Sequence, residues 1–199
     1  MDSVFLWQSG SKYRVAAHDA DMNDVEAIYG QTDSGMTIIE GNLFLNGQKP
    51  IQERTSFGLG EILNAALDND AKHIIISLGG IGSFDGGAGM LQALGAKFYD
   101  DEANLVDVTK GAHVIKYIRR LDFSGIHPKL AEANIQVMSD FSSRLYGKQS
   151  EIMQMYPMLG MTQNEAAEID NLVWYFSELF KSELRVTIGP IERGGAGGG

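Results

Sequence analysis

The sequence predicts an α/β fold: a mixed sheet flanked by helices, with an N-terminal antiparallel β portion. Three observations carry this. The first fifty residues hold short runs of β-branched and aromatic residues separated by turn chemistry. From residue 55 the apolar residues recur at helical spacing. A continuous apolar run, "AKHIIISLGG", then leads through a glycine-rich loop into a helix-like stretch. The chain has 199 residues, enough for one ordinary domain with a real core, and the whole of 1–199 is read as a single domain.

The elements follow in order. "KYRVAAH" and "VEAIYG" read as strands, "QTDSGM" as a turn, and "TIIEGNLFLNGQKP" as extended chain up to a turn at Asn46 and Gly47. Leu59, Ile62, Leu63, Ala66 and Leu67 mark a helix, with Thr55 or Ser56 as its cap. Residues 71–80 read as a strand buried on both faces. "GMLQALG" is a short helix ending at Gly95, and "AKFYD" returns as a strand, which makes a βαβ unit. "HPKLAEANIQVMSD" repeats the pattern, with a strand ending at Asp140. A methionine-rich irregular stretch spans 144–161. Thr162 and Glu165 then form a capping-box pair ahead of an amphipathic helix, whose stripe is Ile169, Leu172, Val173, Phe176, Leu179 and Phe180. "LRVTIG" is a final strand candidate.

Composition limits function. The net charge of −10 argues against nucleic acid as a partner and against docking on an anionic membrane. No apolar run is long enough for a membrane span. The N-terminus lacks a basic region and reads as carrying no secretory leader. With no cysteine, disulfides and thiolate metal sites are excluded, and a cytoplasmic protein is expected. The four histidines show no metal spacing, and His73 reads as hydrogen-bonded at the start of its strand.

The chemistry concentrates in "SLGGIGSFDGGAGM", residues 77–90, six of which are glycine. A buried strand running through glycines into a helix can present unpaired N–H groups to an anion, because glycine lets the backbone approach closely. Tight turning and close helix–sheet packing is the competing explanation. The loop has no lysine, so it is not a P-loop. The dinucleotide pattern fails by one position, where Asp85 stands in place of glycine, although Asp100 falls where a ribose-binding acid would be. A Rossmann-type nucleotide binder is kept as the third reading.

"GGIGSFDGGAGMLQALGAKFYD" resembles the signature loop of bacterial-type glycerate kinases, GGSATNDGGAGM-x-QALG. "TSFGLGEILNAAL", "LDFSGIHPKL", "MSDFSSRLYG", "YPMLGMT" and the terminal "GGAGGG" are similar to further motifs of that family, so the resemblance covers 25–199. It implies ATP-dependent phosphorylation of D-glycerate with Mg²⁺ as cofactor, on a fold of two α/β domains, one inserted into the other. By this resemblance the chain corresponds to the inserted domain, without the family's N-terminal lysine loop and C-terminal segment. Ile81 and Phe84 stand where the family has Ser and Asn, Ser143 and Arg144 replace Asn-Pro, and Met158 and Leu159 replace Gln-Lys. A truncated, degenerate relative is therefore expected, inactive alone.

The resemblance and the loop chemistry together nominate the site. Gly79, Gly80, Gly82, Ser83, Gly86 and Gly87 offer amides to a phosphate or carboxylate. Asp85 and Asp140 serve catalysis, and Asp85 with Glu61 holds Mg²⁺. For each acid a plainer role is also open. Asp85 can cap the amides of Gly87 or Ala88, Asp140 can form an Asx turn, and Glu61 suits the positive end of its helix. The alternative function is a pseudokinase-like binding module. It would self-associate or hold a partner domain through an exposed inter-domain face at Met153, Met155, Met158 and Met161.

Overall fold

The computed structural model describes residues 9–41, 47–78, 82–139, 142–195 and 197. Strands β1 (Gly10–His18), β2 (Asp24–Thr32) and β3 (Met36–Glu40) pair antiparallel in succession, as the alternation of their residues predicts. The β2–β3 turn is closed by the Thr32 hydroxyl, which accepts from the Met36 N–H at 3.1 Å. Asn46, half of the expected Asn-Gly turn, lies outside the described residues.

Helix α1 (Phe57–Asp68) buries Leu59, Ile62, Leu63, Ala66 and Leu67, all five residues of the predicted stripe. It feeds β4 (His73–Leu78), which lies parallel to β3. The βαβ unit is therefore β3–α1–β4, one step earlier than the sequence predicts. Helix α2 (Ala88–Ala93) ends at Gly95, whose φ of +105° makes it the expected helix terminator. The next strand, β5 (Lys97–Tyr99), does not return to the sheet. It pairs antiparallel with β6 (Arg120–Asp122) in a separate two-stranded ribbon. The parallel partner on the far side of β4 is β7 (Asn134–Ser139), so the order is β1-β2-β3-β4-β7.

Core packing follows from this topology. Tyr29, Ile39, Ile74 and Ile76 meet α1 on one face of the sheet. Ile75 and Ser77, pointing the other way, are only half-buried, so β4 is not buried on both faces as predicted. His73 is exposed at the start of the strand, where solvent is available to it.

Two further helices follow. Within the stretch read as irregular, α3 (Glu151–Met155) starts at Ser150, whose hydroxyl accepts from the Met153 N–H. Helix α4 (Gln163–Leu179) begins with the predicted capping box: Thr162 N–H and Oγ1–H each donate to Glu165 Oε2 at 2.7 Å, and Glu165 N–H donates to Thr162 Oγ1. Its stripe packs Phe176 edge-on to Phe98 and Phe180, in a second core under the ribbon. The predicted strand "LRVTIG" does not form. Arg185 turns into the left-handed region, φ +57°, and closes a π-type turn over Phe180–Leu184.

Thr162→Ala is expected to lower the unfolding free energy by about 1 kcal/mol, read from urea denaturation. The same cap has a pH signature. Hydrogen bonds from Thr162 hold the Glu165 carboxyl below its ordinary value of 4.5. A depressed folded value gives stability above the unfolded pKa that is lost as pH falls through the folded one. The difference between parent and Glu165→Gln should accordingly shrink on acidification below about pH 4.5.

Candidate functional site

The carboxyl ends of β3, β4 and β7 lie side by side, the edge where open α/β sheets bind ligands. The glycine loop leaves β4 at that edge. Gly79 and Gly80, like Asp140 beyond β7, lie outside the described residues. From Gly82 onward the loop is pinned on three sides. Phe84 is buried with Ile51, Ile152, Ala166 and Ile169, so its ring anchors the loop beneath α3 and α4. Gly86, at φ +60°, lies against Phe176 and Val173 of α4, and a Cβ there would meet both at 3.4 Å. Asp85 faces the opposite way, into the start of α1.

Asp85 is 1% exposed. Its Oδ2 accepts from Ser56 N–H at 2.8 Å, Ser56 Oγ at 2.9 Å, Gly89 N–H at 3.1 Å and Thr55 Oγ1 at 3.3 Å, and its Oδ1 accepts from Gly87 N–H at 3.1 Å. The plainer of its two sequence roles is thus present, extended by two hydroxyls from thirty residues upstream. Ser56 precedes α1 as expected, but its side chain does not cap that helix. Its oxygen instead accepts from Met90 N–H at 2.9 Å, tying α1 to α2. Burial pushes the Asp85 carboxyl above its ordinary value, and the donors from Ser56, Gly89 and Gly87 oppose that.

The helix-start amides are therefore not open to an anion. Gly87 and Gly89 donate to Asp85, Ala88 donates to the Asp85 carbonyl, and Met90 donates to Ser56. The N–H groups of Gly82, Ser83 and Gly86 have no acceptor among the described residues. These unpaired donors sit earlier in the loop than a helix-terminus argument places them, and Gly82 and Ser83 are themselves buried.

Glu61 is engaged elsewhere. It accepts from the His18 N–H at 2.9 Å and pairs with His18 Nδ1 at 2.9 Å, bracing α1 on β1. Among the described residues no group of three or more acids and histidines is arranged to hold a metal ion. Asp100 directly follows β5 of the separate ribbon, where it accepts from the Asn104 and Glu102 N–H groups. These donors hold its carboxyl below the ordinary range.

Two cations near the loop were missed by sequence reasoning. Arg54 donates from Nη1 to the Gly82 carbonyl at 3.4 Å and from Nε to the Lys49 carbonyl at 2.8 Å. Arg193 stands at a cavity of about 310 Å³ that Ser83, Gly87 and Met90 also line. Arg54 directly precedes the Thr-Ser pair that holds Asp85, which is the one signal that pointed to it. Gly195 and Gly197 fold back on this edge. Gly195 N–H donates to the Ser143 carbonyl, and Gly197 N–H donates to Glu151 Oε2 at 2.7 Å. Of the methionine cluster, only Met158 is exposed; Met153 and Met161 pack against the Phe84 group. No helix among the described residues is long and apolar enough to cross a membrane.

Comparison with known proteins agrees with this architecture. The model of the glycerate kinase family matches residues 1–199. Glycerate 2-kinase of Escherichia coli is 35% identical over 145 residues, 73% of this chain and 38% of that protein. Glycerate kinase of Bacillus subtilis is 30% identical over 182 residues, 88% of this chain and 47% of that protein. A crystal structure of a Salmonella typhimurium protein assigned as glycerate kinase 2 superposes with a TM-score of 0.92 at 29% identity, covering 100% of this chain and 54% of that one. The chain thus spans about half the length of the relatives it matches, or less.

Proposed function

The chain belongs to the glycerate kinase family, and on that premise we propose that its carboxyl-edge loops form one wall of a site for ATP-dependent phosphorylation of D-glycerate. The observation that carries this is a loop fixed at the ligand-binding edge of the sheet, on which the N–H groups of Gly82, Ser83 and Gly86 have no acceptor among the described residues, those of Gly82 and Ser83 lying on buried residues. Backbone amides held this way suit a phosphate or a carboxylate oxygen. Arg54 and Arg193 bring positive charge to the same edge. Gly79, Gly80 and Asp140 are kept in the proposal as ligand-binding candidates on the family resemblance alone, and Gly87 serves it as a pivot, its N–H being held by Asp85.

Mg²⁺ does not fit on Asp85 and Glu61. The Asp85 oxygens already take five donors inside the core, and Glu61 is held by His18. A hard cation needs open oxygen ligands converging on one point. Asp85 is a positioning residue, which fixes the loop against the starts of α1 and α2. Phosphoryl transfer depends on positioning and charge neutralisation around the transferred group, and one wall supplies only part of each. The opposite wall belongs to the portion of the relatives that this chain does not match.

A coupled assay of the purified chain with ATP, Mg²⁺ and D-glycerate is expected to show no turnover. A rate of about 1 per second, ordinary for an enzyme, would overturn the one-wall reading. Binding is a separate readout. Titration with ATP is expected to saturate, and Arg193→Ala to weaken it about tenfold, the loss of one charge-assisted contact. Failure of both ATP and D-glycerate to bind saturably removes the site from this edge.

A further inference from the structure

We propose that Asp21 is a positioning residue for this edge: acting through Lys49, it aims the Arg54 guanidinium at the glycine loop, where the group meets a phosphate or carboxylate oxygen. The ligand is that of the anion site proposed above, on which the inference rests. What is added is the chain of contacts that holds the cation in place.

Asp21 lies in the turn between β1 and β2 and is 5% exposed. Its Oδ1 accepts from Lys49 N–H at 3.1 Å. Its Oδ2 accepts from Gln48 N–H at 2.5 Å and from Lys49 N–H at 3.3 Å. The Asp21 carbonyl accepts from Lys49 Nζ at 2.7 Å. One buried residue thus holds both the backbone and the side chain of Lys49. A buried carboxylate needs such donors to offset its lost hydration. The same turn also fixes the residue after Arg54, since the Ala20 carbonyl accepts from Thr55 N–H at 3.0 Å.

The next link runs to the loop. The Lys49 carbonyl accepts from Arg54 Nε at 2.8 Å, and Arg54 Nη1 donates to the Gly82 carbonyl at 3.4 Å. Gly47 is where the two ends of the chain of contacts meet. A Cβ there would stand 2.3 Å from Asp21 Oδ1 and 3.1 Å from Arg54 Cδ. Glycine therefore lets the carboxylate and the arginine stem close on one point. A free arginine side chain gives up much rotamer freedom when it clasps a ligand. Here Arg54 is half-buried with Nε already fixed, so that loss falls on folding and not on binding. A guanidinium carries more N–H donors than these two carbonyls use, and Nη2 supplies those for the incoming oxygen.

The test uses the full 199-residue chain, isotope-labelled at arginine and followed by NMR. The Arg54 Nε–H is expected to exchange slowly, and Asp21→Ala to speed that exchange at least about tenfold. Titrated with ATP, Asp21→Ala and Arg54→Ala should each weaken binding about tenfold, and the double variant no further, because both remove the same contact. Asp21→Asn keeps an acceptor oxygen for the Lys49 N–H, and should return both readouts to within about twofold of the parent. Gly47→Ala displaces the same carboxylate from the other side, and takes the place of Asp21→Ala if circular dichroism shows that variant unfolded. Unchanged Nε–H exchange in the displaced variant overturns the proposal. So does a released Nε–H with undiminished affinity, which makes Asp21 a structural anchor only. If the parent does not bind ATP, inorganic phosphate is the probe. A shift of the Arg54 resonance on phosphate titration then supports the positioning role and removes the ATP reading alone. No shift with either ligand overturns both.

Discussion

Asp85→Ala is expected to lower the unfolding free energy by about 3–5 kcal/mol. The alanine removes the common acceptor of five donors. Three of these are main-chain N–H groups, of Ser56, Gly87 and Gly89, which cannot rotate toward a new partner. The two hydroxyls can, so the deficit stays below a simple sum over five bonds. Urea denaturation measures it, and a deficit under about 1 kcal/mol would show that the knot is not holding α1 to α2. The pH dependence has a defined sign. Burial raises the carboxyl above its ordinary 3.8. A raised folded value gives stability that is fully present below the unfolded pKa and is lost as pH rises through the folded one. The deficit of the alanine variant should therefore narrow on the alkaline side.

Gly60→Ala separates two physical effects that point in opposite directions. Inside a helix, replacing glycine by alanine ordinarily gains about 1 kcal/mol. At Gly60 a Cβ would stand 2.4 Å from the Met90 carbonyl oxygen and 2.7 Å from the Ala93 Cβ. Neither atom belongs to a flexible side chain, so α2 must move off α1. The expected result is a net loss of about 2–3 kcal/mol by thermal or urea unfolding, with the glycine loop displaced because α2 carries its end. A gain in stability would show that the two helices are less tightly seated than the contact implies.

Legibility in the sequence followed the range of the interactions. The capping box at Thr162 and the apolar stripe of α1 are local, and both were readable from spacing alone. Strand partners were not. "AKFYD" has the residues of a strand, but its partner is Arg120–Asp122 rather than β4, and nothing in its composition distinguishes a ribbon from a sheet. "LRVTIG" failed for a backbone reason, the left-handed turn at Arg185, which propensity does not reveal.

At the site the motif located the loop and its glycines. The deciding contacts to Asp85 came from Thr55 and Ser56, which the sequence presented only as helix caps. The sequence therefore leaves Asp85 open between cap and ligand, because those donors lie about thirty residues upstream. The resemblance nominates Glu61, and its His18 partner on β1, 43 residues away, is invisible in the sequence.

The three-sided anchoring of Gly82–Gly87 makes the glycines a means of close fit and not of mobility. A preorganised loop loses little conformational entropy when a ligand arrives, so selectivity there must come from shape match rather than from closure around the guest. In the proposed site, any large rearrangement would fall to whatever approaches this wall, with the loop acting as the fixed anvil.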